Sequence, residues 1–512
     1  MTAIEYLSLP WYKRILYRII ALLVSIPKAI FGFFKVKLPN FFVGLYHKFI
    51  GVFKNIFRFA VDGDWKTRVS FLVMGFGMIL RKFYLKGILV LVYQIAFIYF
   101  TISTGIPTLI RIGSFGFVAQ TSYIHPDLGL PITVTNDNSF MLLLNMIIFI
   151  ILAGIFLFLW YAQLNDSMNL QNLNSIGKKK TSKELVKSLV GKNYHLLLLA
   201  FPTAGLIIFT IVPLIFMILV AFTNYSSSYQ SPKELFDWVG VYNFKKLFGM
   251  GSNSYEFSYV FGQVLLWTLI WAFFATFTNY FLGMIVAIII NRKGIKGKKV
   301  WRTILITTIA VPQFISLLFL SKFLNKDQGA LNFMLKSMGL ITQNIPFLED
   351  ALMGKITIII VNMWIGIPYT MLMCSGLLMN IPQDLYESAK IDGASPFKVY
   401  TKITLPYMLF VTGPYLISSF VGNINNFNVI FLLSGGGPIF TNVNGAPIVG
   451  NVYGAGQTDL LITWLYKMAM QQVNKNYGLA SVIGLCIFII IGGLSLITYS
   501  RTNAVKNEGD FQ

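Results

Sequence analysis

Eight apolar runs mark the chain, at about 87–108, 140–161, 196–222, 259–290, 303–322, 356–379, 407–433 and 478–499. A bilayer core of roughly 30 Å is crossed by about 20 residues of α-helix, so each run is long enough to span. Gly, Pro and Asn interrupt the last few runs. Such breaks are tolerated where a neighbouring helix or a cavity satisfies the freed backbone groups. The pattern predicts an all-α polytopic membrane protein with eight transmembrane helices. Residues 11–58 follow another rhythm. Lys and Arg recur every few positions between Leu, Ile and Phe, and no charge-free stretch there is long enough to span. This predicts a basic amphipathic extension whose helices lie in the membrane interface, basic side chains toward anionic headgroups. A plain anchor and a regulatory or assembly element both remain open for it.

Composition sharpens the picture. Hydrophobic residues make up 56% of the 512 and charged residues 12%, about half the charged share of a soluble protein. A water-soluble enzyme, a coiled coil and a disordered chain are excluded. The net charge of +22 would suit nucleic acid, but its distribution says otherwise. Of the 41 Lys and Arg, 31 fall in segments 1–86, 162–195, 291–302, 380–406 and 500–512, and 10 in the alternating ones. Cationic excess marks the cytoplasmic face. Both termini are therefore expected in the cytoplasm, and no nucleic-acid partner is expected.

Catalytic and metal chemistry find little support. Cys374 and Cys486 both lie in apolar runs and cannot build a disulfide framework or metal cluster. His47, His125 and His195 fall in different segments and form no motif. The basic N-terminus is not followed by a short apolar core with a small-residue exit, so no signal peptide is expected. No G-x-x-x-x-G-K-[ST] loop occurs, and GIKGKK at 294–299 is a basic loop rather than a phosphate cradle. The connections are too short for a nucleotide-binding domain within this chain.

Segment 380–406 reads NIPQDLYESAKIDGASPFKVYTKITLP. Asn380 is expected to cap a short helix with Pro382 in its first turn and Asp384 and Glu387 near its positive end. Gly393 is expected to stop that helix, and Ser395-Pro396 to cap and begin a second. Leu385, Ala389 and the Phe397 region then offer an apolar face to a cytosolic partner.

Two membrane runs carry polar groups. Ser419, Asn423 and Asn426 are spaced i, i+4, i+7 and would share one face of a continuous helix. Asn362, Gly366 and Tyr369 repeat that spacing, and Gly366 with Pro368 is expected to bend its helix and open space beside Tyr369. Amides in hydrocarbon are unfavourable and mark interior or functional surfaces. They serve either as glue between helices or as contacts for a neutral, hydroxyl-rich ligand, and the spacing alone does not choose. No intramembrane carboxylate pair or His relay is visible, which argues against a proton-coupled pump.

Glu387-Ser388-Ala389, Asp392-Gly393-Ala394, Phe397 and Ile403-Thr404-Leu405-Pro406 resemble the EAA loop of ABC importer permeases, with Ser388 in place of the middle Ala. NMWIGIPYTM (362–371), LLSGGGP (432–438), GQTDLLITWLYKMAM (456–470) and NYGLASVIG (476–484) resemble the large permease subunit of maltose/maltodextrin importers. The similarity runs from about 196 to 505. It does not cover the N-terminal extension. The charge and apolar pattern gives a basic interfacial region at 1–86, three first spans over 87–222 and a cytoplasmic tail at 501–512, and the resemblance implies an ABC importer transmembrane domain over 259–500 with its coupling loop at 380–406. Glu387, Ala389, Asp392 and Gly393 would dock in a cleft on an ATPase subunit. Ile365, Gly366, Tyr369, Ser419, Asn423 and Asn426 would contact sugar.

The implied partners are a second EAA-bearing permease subunit, two ATPase subunits, an extracellular sugar-binding protein, an oligosaccharide and membrane lipid. This chain would hold no cofactor or metal, and ATP and Mg would sit on the ATPases. The expected function is that of a permease subunit in the bacterial plasma membrane, importing maltodextrin-like oligosaccharides by ATP-driven alternating access. Another oligosaccharide or a glycoside is the alternative, and a membrane-embedded enzyme or a channel is the contrasting class. Gly422 and Ile309 stand where the best-known member has aromatic rings. Segment 223–258 lacks that member's large folded insertion.

Overall fold

The computed structural model describes residues 38–499, apart from 127–128, 135, most of 178–193, 231–233, 252–253, 293 and 451. The expected interfacial helices before residue 38 and the tail at 501–512 lie outside the described residues. Helix α1 covers Leu38–Asp62. The membrane-length helices are α2 (Tyr84–Arg111), α3 (Ser139–Ser175), α4 (Leu198–Val220), α5 (Tyr255–Asn291), α8 (Ala351–Leu378), α10 (Pro396–Ile424) and α13 (Tyr477–Tyr499). Between α5 and α8, α6 (Lys298–Ala310) and α7 (Gln313–Phe323) are two halves of one span, bent by 86° at their junction. The eight-span plan holds with this amendment: the fifth span is broken. Pro312 stands at the break, and a residue before proline is pushed out of the helical region.

Local signals set several helix starts. The side chain of Asn138 accepts from the N–H groups of Phe140 (3.0 Å) and Met141 (3.2 Å) ahead of α3. Asp350 does the same for Leu352 (3.0 Å) and Met353 (2.8 Å) ahead of α8. Each thereby satisfies donors that an N-terminus leaves free.

The seventh apolar run is not one helix. Asn425 closes α10, and Asn426 caps a separate α11 (Phe427–Leu433), its side-chain oxygen accepting from the Val429 N–H at 3.3 Å. Ser419, Asn423 and Asn426 therefore do not share one continuous helix face. The amide that was expected to point sideways from a helix instead starts the next one.

The chain divides into two compact units, 1–216 with 230–235, and 217–229 with 236–512. In the first, α1 and the short helices Trp65–Val69 and Phe76–Ile79 pack on α3 through a buried polar cluster. The Arg81 guanidinium, 3% exposed, donates to Asp64 at 2.5 Å, to the hydroxyls of Thr67 and Ser167 (both 2.8 Å) and to the Gly77 carbonyl (2.9 Å). Gln171 on α3 accepts from the Asp64 N–H at 2.9 Å and from the Thr67 hydroxyl at 3.0 Å. Burial raises the Asp64 pKa, but the bonds from Thr67 and the Arg81 charge outweigh it and hold the carboxyl below its ordinary value. A buried cation is tolerated here because nearly every donor is used.

The second unit is organised on α5. Of the spans, α5 and α8 are the most enclosed, with 44% and 39% of their most apolar stretch buried, against 6% for α4. Three apolar clusters follow one another along α5, around Phe257 and Trp464, around Trp267 and Trp271, and around Tyr280 and Met284. A Cβ on Gly283 would fall 2.1 Å from the Thr370 hydroxyl and 2.9 Å from the Met371 nitrogen, so only glycine admits this approach of α5 and α8. The Thr370 hydroxyl donates to the Asn279 carbonyl at 2.8 Å across the same seam.

Ahead of α12 (Leu461–Tyr466), the segment 434–460 is fixed by a buried pair. Asp459 receives Lys467 at 2.6 Å, the Gly456 N–H at 2.7 Å and the Thr463 hydroxyl at 2.9 Å. Gly436, at φ +84°, leaves room for this carboxylate, since a Cβ would sit 1.9 Å from it. The glycine run at 435–437 is thus partly a packing requirement.

Candidate functional site

A cavity of about 340 Å³ opens between α8 and the broken span. Ile365, Gly366 and Tyr369 line it from α8; Ile309, Gln313 and Ser316 line it from α6 and α7. Tyr369 is 56% exposed. Asn362, on the same wall, is 6% exposed, and its amide nitrogen has no hydrogen-bond partner among the described residues. An unsatisfied buried donor is costly, so an amide at a cavity wall is well placed for an incoming hydroxyl. Ile309 sits on this wall, so the ring absent at that position is absent from the cavity itself.

Gly366 plays another part than the expected one. α8 runs from Ala351 to Leu378 through Pro368 as a single helix. A Cβ on Gly366 would lie 2.2 Å from the amide nitrogen of Asn279 on α5. The glycine therefore lets two helices close up, and the space beside Tyr369 comes from the break in the fifth span. Gln313 and Ser316 do not stand out in the sequence, because their place on the wall depends on the break in the fifth span. Val311-Pro312 was the available signal.

Ser419, Asn423 and Asn426 are not among the residues lining this cavity. The Asn423 amide donates to the Thr276 hydroxyl on α5 at 3.0 Å, and its oxygen accepts from Asn426 at 3.3 Å. Its carbonyl also accepts from the Trp271 indole at 3.0 Å. In this conformation Asn423 joins α10 to α5. Ser419 lies beside Tyr415, which in turn neighbours Tyr369. Gly422 has nothing within 4 Å of where a Cβ would stand.

The loop between α8 and α10 is built as two helices with a tight turn. α9 covers Gln383–Ile391. Its N-cap position is taken by Pro382, not by Asn380, whose N–H closes the preceding turn onto Leu377 at 3.1 Å. Proline supplies a suitable φ but no side-chain acceptor, so the helix starts after it. At the other end Gly393 has φ +67°, its N–H reaches the Lys390 carbonyl at 3.1 Å, and the Ala394 N–H reaches Ala389 at 2.9 Å. This is a Schellman ending, whose left-handed residue favours glycine. The Ser395 hydroxyl then accepts from the Lys398 N–H at 3.3 Å and opens α10. Tyr386 and Thr404 share a hydroxyl bond of 3.0 Å that ties α9 to α10. Glu387 and Asp392 are exposed and Ala389 half-buried. Leu385, Phe397 and Ile391 are exposed at 48%, 70% and 86%; Ile391 extends the expected apolar face.

Residues 279–501 match the family described as binding-protein-dependent transport system inner membrane component. That stretch runs from the middle of α5 through the cavity and the α9 loop. Over 453 residues the chain is 30% identical to the maltodextrin transport system permease protein MalC of Streptococcus pneumoniae, covering 86% of this chain and 97% of that protein. The chain belongs to this permease family. The permease is also 33% identical over 378 residues to the galactooligosaccharides transport system permease protein GanP of Bacillus subtilis, with 73% of this chain and 86% of that one covered. With the maltodextrin transport system permease protein MdxF of the same organism it shares 33% over 383 residues, 73% of this chain and 84% of that one. It is a multi-pass inner membrane protein and a transport subunit of an ABC importer.

Proposed function

We propose that this permease imports maltodextrin-like oligosaccharides, working with a second permease subunit, two ATPase subunits that carry ATP and Mg, and an extracellular sugar-binding protein. The observation that carries the reading is the cavity at the broken span: a tyrosine ring for stacking, an unpaired amide donor and hydroxyl-bearing walls suit a neutral polyol. Two of the relatives named above are maltodextrin permeases, which supports that sugar class. GanP, at equal identity to MdxF, carries galactooligosaccharides by its name, and supports another oligosaccharide as the second reading. Ser419, Asn423 and Asn426 form a further polar stretch along the path, and Asn423 holds it to α5.

Glu387, Ala389, Asp392 and Gly393 present α9 to the ATPase. The distribution of basic residues supports a cytoplasmic position for this loop and both termini. Closing the ATPases would move α9 with α10 and switch the cavity from one side to the other.

The test is uptake of labelled maltodextrins and galactooligosaccharides by the reconstituted transporter, compared with Tyr369→Ala. Losing one good contact should cost about 1–2 kcal/mol, or about 5- to 30-fold in apparent affinity. Uptake of galactooligosaccharides but no maltodextrin would select the second reading. An unchanged affinity for every sugar in Tyr369→Ala would remove the cavity from the path.

A further inference from the structure

α1 has three faces. Toward α3 it buries Phe59 against Leu164 and Met168, with Trp160 and Tyr161 alongside, and Asn55 donates to the Tyr161 hydroxyl at 3.0 Å. At 100° per residue, Tyr46, Phe49, Phe53 and Phe57 fall together on a second face, more than a third of a turn from the first. All four are exposed, by 56–72%. His47, Lys54 and Arg58 fall on the third face and are exposed too. No acidic residue occurs from 38 to 61.

The depth at which α1 sits is set by α3. Phe59 packs at the level of Trp160 to Met168, where α3 turns from a solid apolar run to Gln163, Asn165 and Asp166. That is the level at which a spanning helix leaves the hydrocarbon, and Trp and Tyr collect there. The Arg81–Asp64–Gln171 cluster just after α1, with its guanidinium buried, fixes the end of α1 to α3 at that height. An aromatic row on one side and a cationic row on the next, held at the water boundary, match an acyl layer and its headgroups in shape and in charge.

We propose that α1 is a docking surface for anionic phospholipid. Phe49, Phe53 and Phe57 sink into the acyl boundary, and Lys54 and Arg58 bind lipid phosphates beside the exit of α3. The lipid surface continues the membrane-facing side of α3, so α1 widens the footprint of the first unit along the leaflet. This does not depend on which sugar the transporter carries.

The test uses the assembled transporter, with Cys374 and Cys486 replaced by alanine, in phosphatidylcholine vesicles with and without phosphatidylglycerol. Nitroxide labels at Phe53→Cys and Phe57→Cys are expected to collide with oxygen far more than with a water-soluble nickel chelate, and a label at Lys54→Cys to show the reverse preference. Phosphatidylglycerol retained through purification should fall roughly fivefold for each of Lys54→Gln and Arg58→Gln, the value of one basic residue at an anionic surface. Labels at 53 and 57 shielded from both reagents would mean that protein covers the stripe, and would overturn the proposal. So would free access of the nickel chelate to them. Oxygen access with unchanged lipid retention in the double variant would overturn the anionic selectivity, because the basic row would then bind nothing.

Discussion

Replacing Gly366 by alanine tests whether the wall of the cavity is held by the close approach of α8 to α5. The new methyl would stand 2.2 Å from the Asn279 amide nitrogen and 2.6 Å from its Cγ. Ordinary contact begins near 3.4 Å, so about 1.2 Å must be found. Asn279 is 9% exposed, which leaves its amide little room to swing. Backbone separation is opposed about one turn away, where Gly283 meets Thr370 and the Thr370 hydroxyl donates to the Asn279 carbonyl at 2.8 Å. Overpacking of this kind costs about 1–3 kcal/mol. Alanine's helix preference over glycine returns up to about 1 kcal/mol, so a net loss means that the clash dominates.

The assay is the apparent melting temperature of the purified, assembled transporter for Gly366→Ala, Asn279→Ala and the pair. Gly366→Ala should melt lower than the parent. The Asn279 side-chain oxygen has no partner among the described residues, so shortening that residue removes the obstacle while sacrificing no bond of that atom. The double variant should regain most of the loss, a coupling of about 1–3 kcal/mol. A single variant as stable as the parent, or a double variant no better than Gly366→Ala, would refute the reasoning.

Asn423→Ala removes two side-chain hydrogen bonds at about 1 kcal/mol each. It should lower the melting temperature of the complex while leaving the sugar preference of the folded fraction unchanged; full stability with loss of one sugar class would instead assign the amide to ligand. Gly393→Val forces a β-branched residue to φ +67°, a strain of roughly 1–2 kcal/mol. It should leave the chain inserted but uncouple ATP hydrolysis from uptake, and near-normal uptake would contradict that. Arg81→Met removes the ion pair from a carboxylate that is 38% exposed and still accepts from the Thr67 N–H, and whose pKa is held below the ordinary range; with solvent screening the pair, the change should cost roughly 1–2 kcal/mol at neutral pH. Because that pKa is depressed, its contribution is present above the unfolded value and fades as pH falls through the folded one. Acid titration of stability should therefore show the difference between parent and variant shrinking at low pH.

Periodicity and capping chemistry made the spans legible, because a long apolar run in lipid has few options but a helix. Gly393 and Ser395-Pro396 were readable for the same local reasons, and both occur as expected. Where two local signals competed, the reading went astray. Asn380 and Pro382 are each good helix starters, and the ring that cannot donate won the position. Asn426 satisfies spacing for a side-facing amide and chemistry for a cap, and the backbone took the cap. Tertiary packing was not legible at all. Nothing near Gly366 in sequence announces that Asn279, some ninety residues earlier, occupies the space a methyl would need. Nor does the pairing of Arg81 with Asp64 and Ser167 show in any short window.

The turn at Gly393 has a mechanical consequence. Between the end of α9 at Ile391 and the start of α10 at Pro396 there are only four residues, all of them held by backbone or capping bonds, and the Tyr386–Thr404 bond closes the corner from inside. A crank transmits its full stroke only when the elbow has no play. A long supple linker here would absorb a push on α9 as bending of the chain, much as a slack cable takes up a pull. The bonded elbow instead joins α9 to the base of α10, so that a displacement applied at the protruding end would reach α10 with little of it lost in the corner.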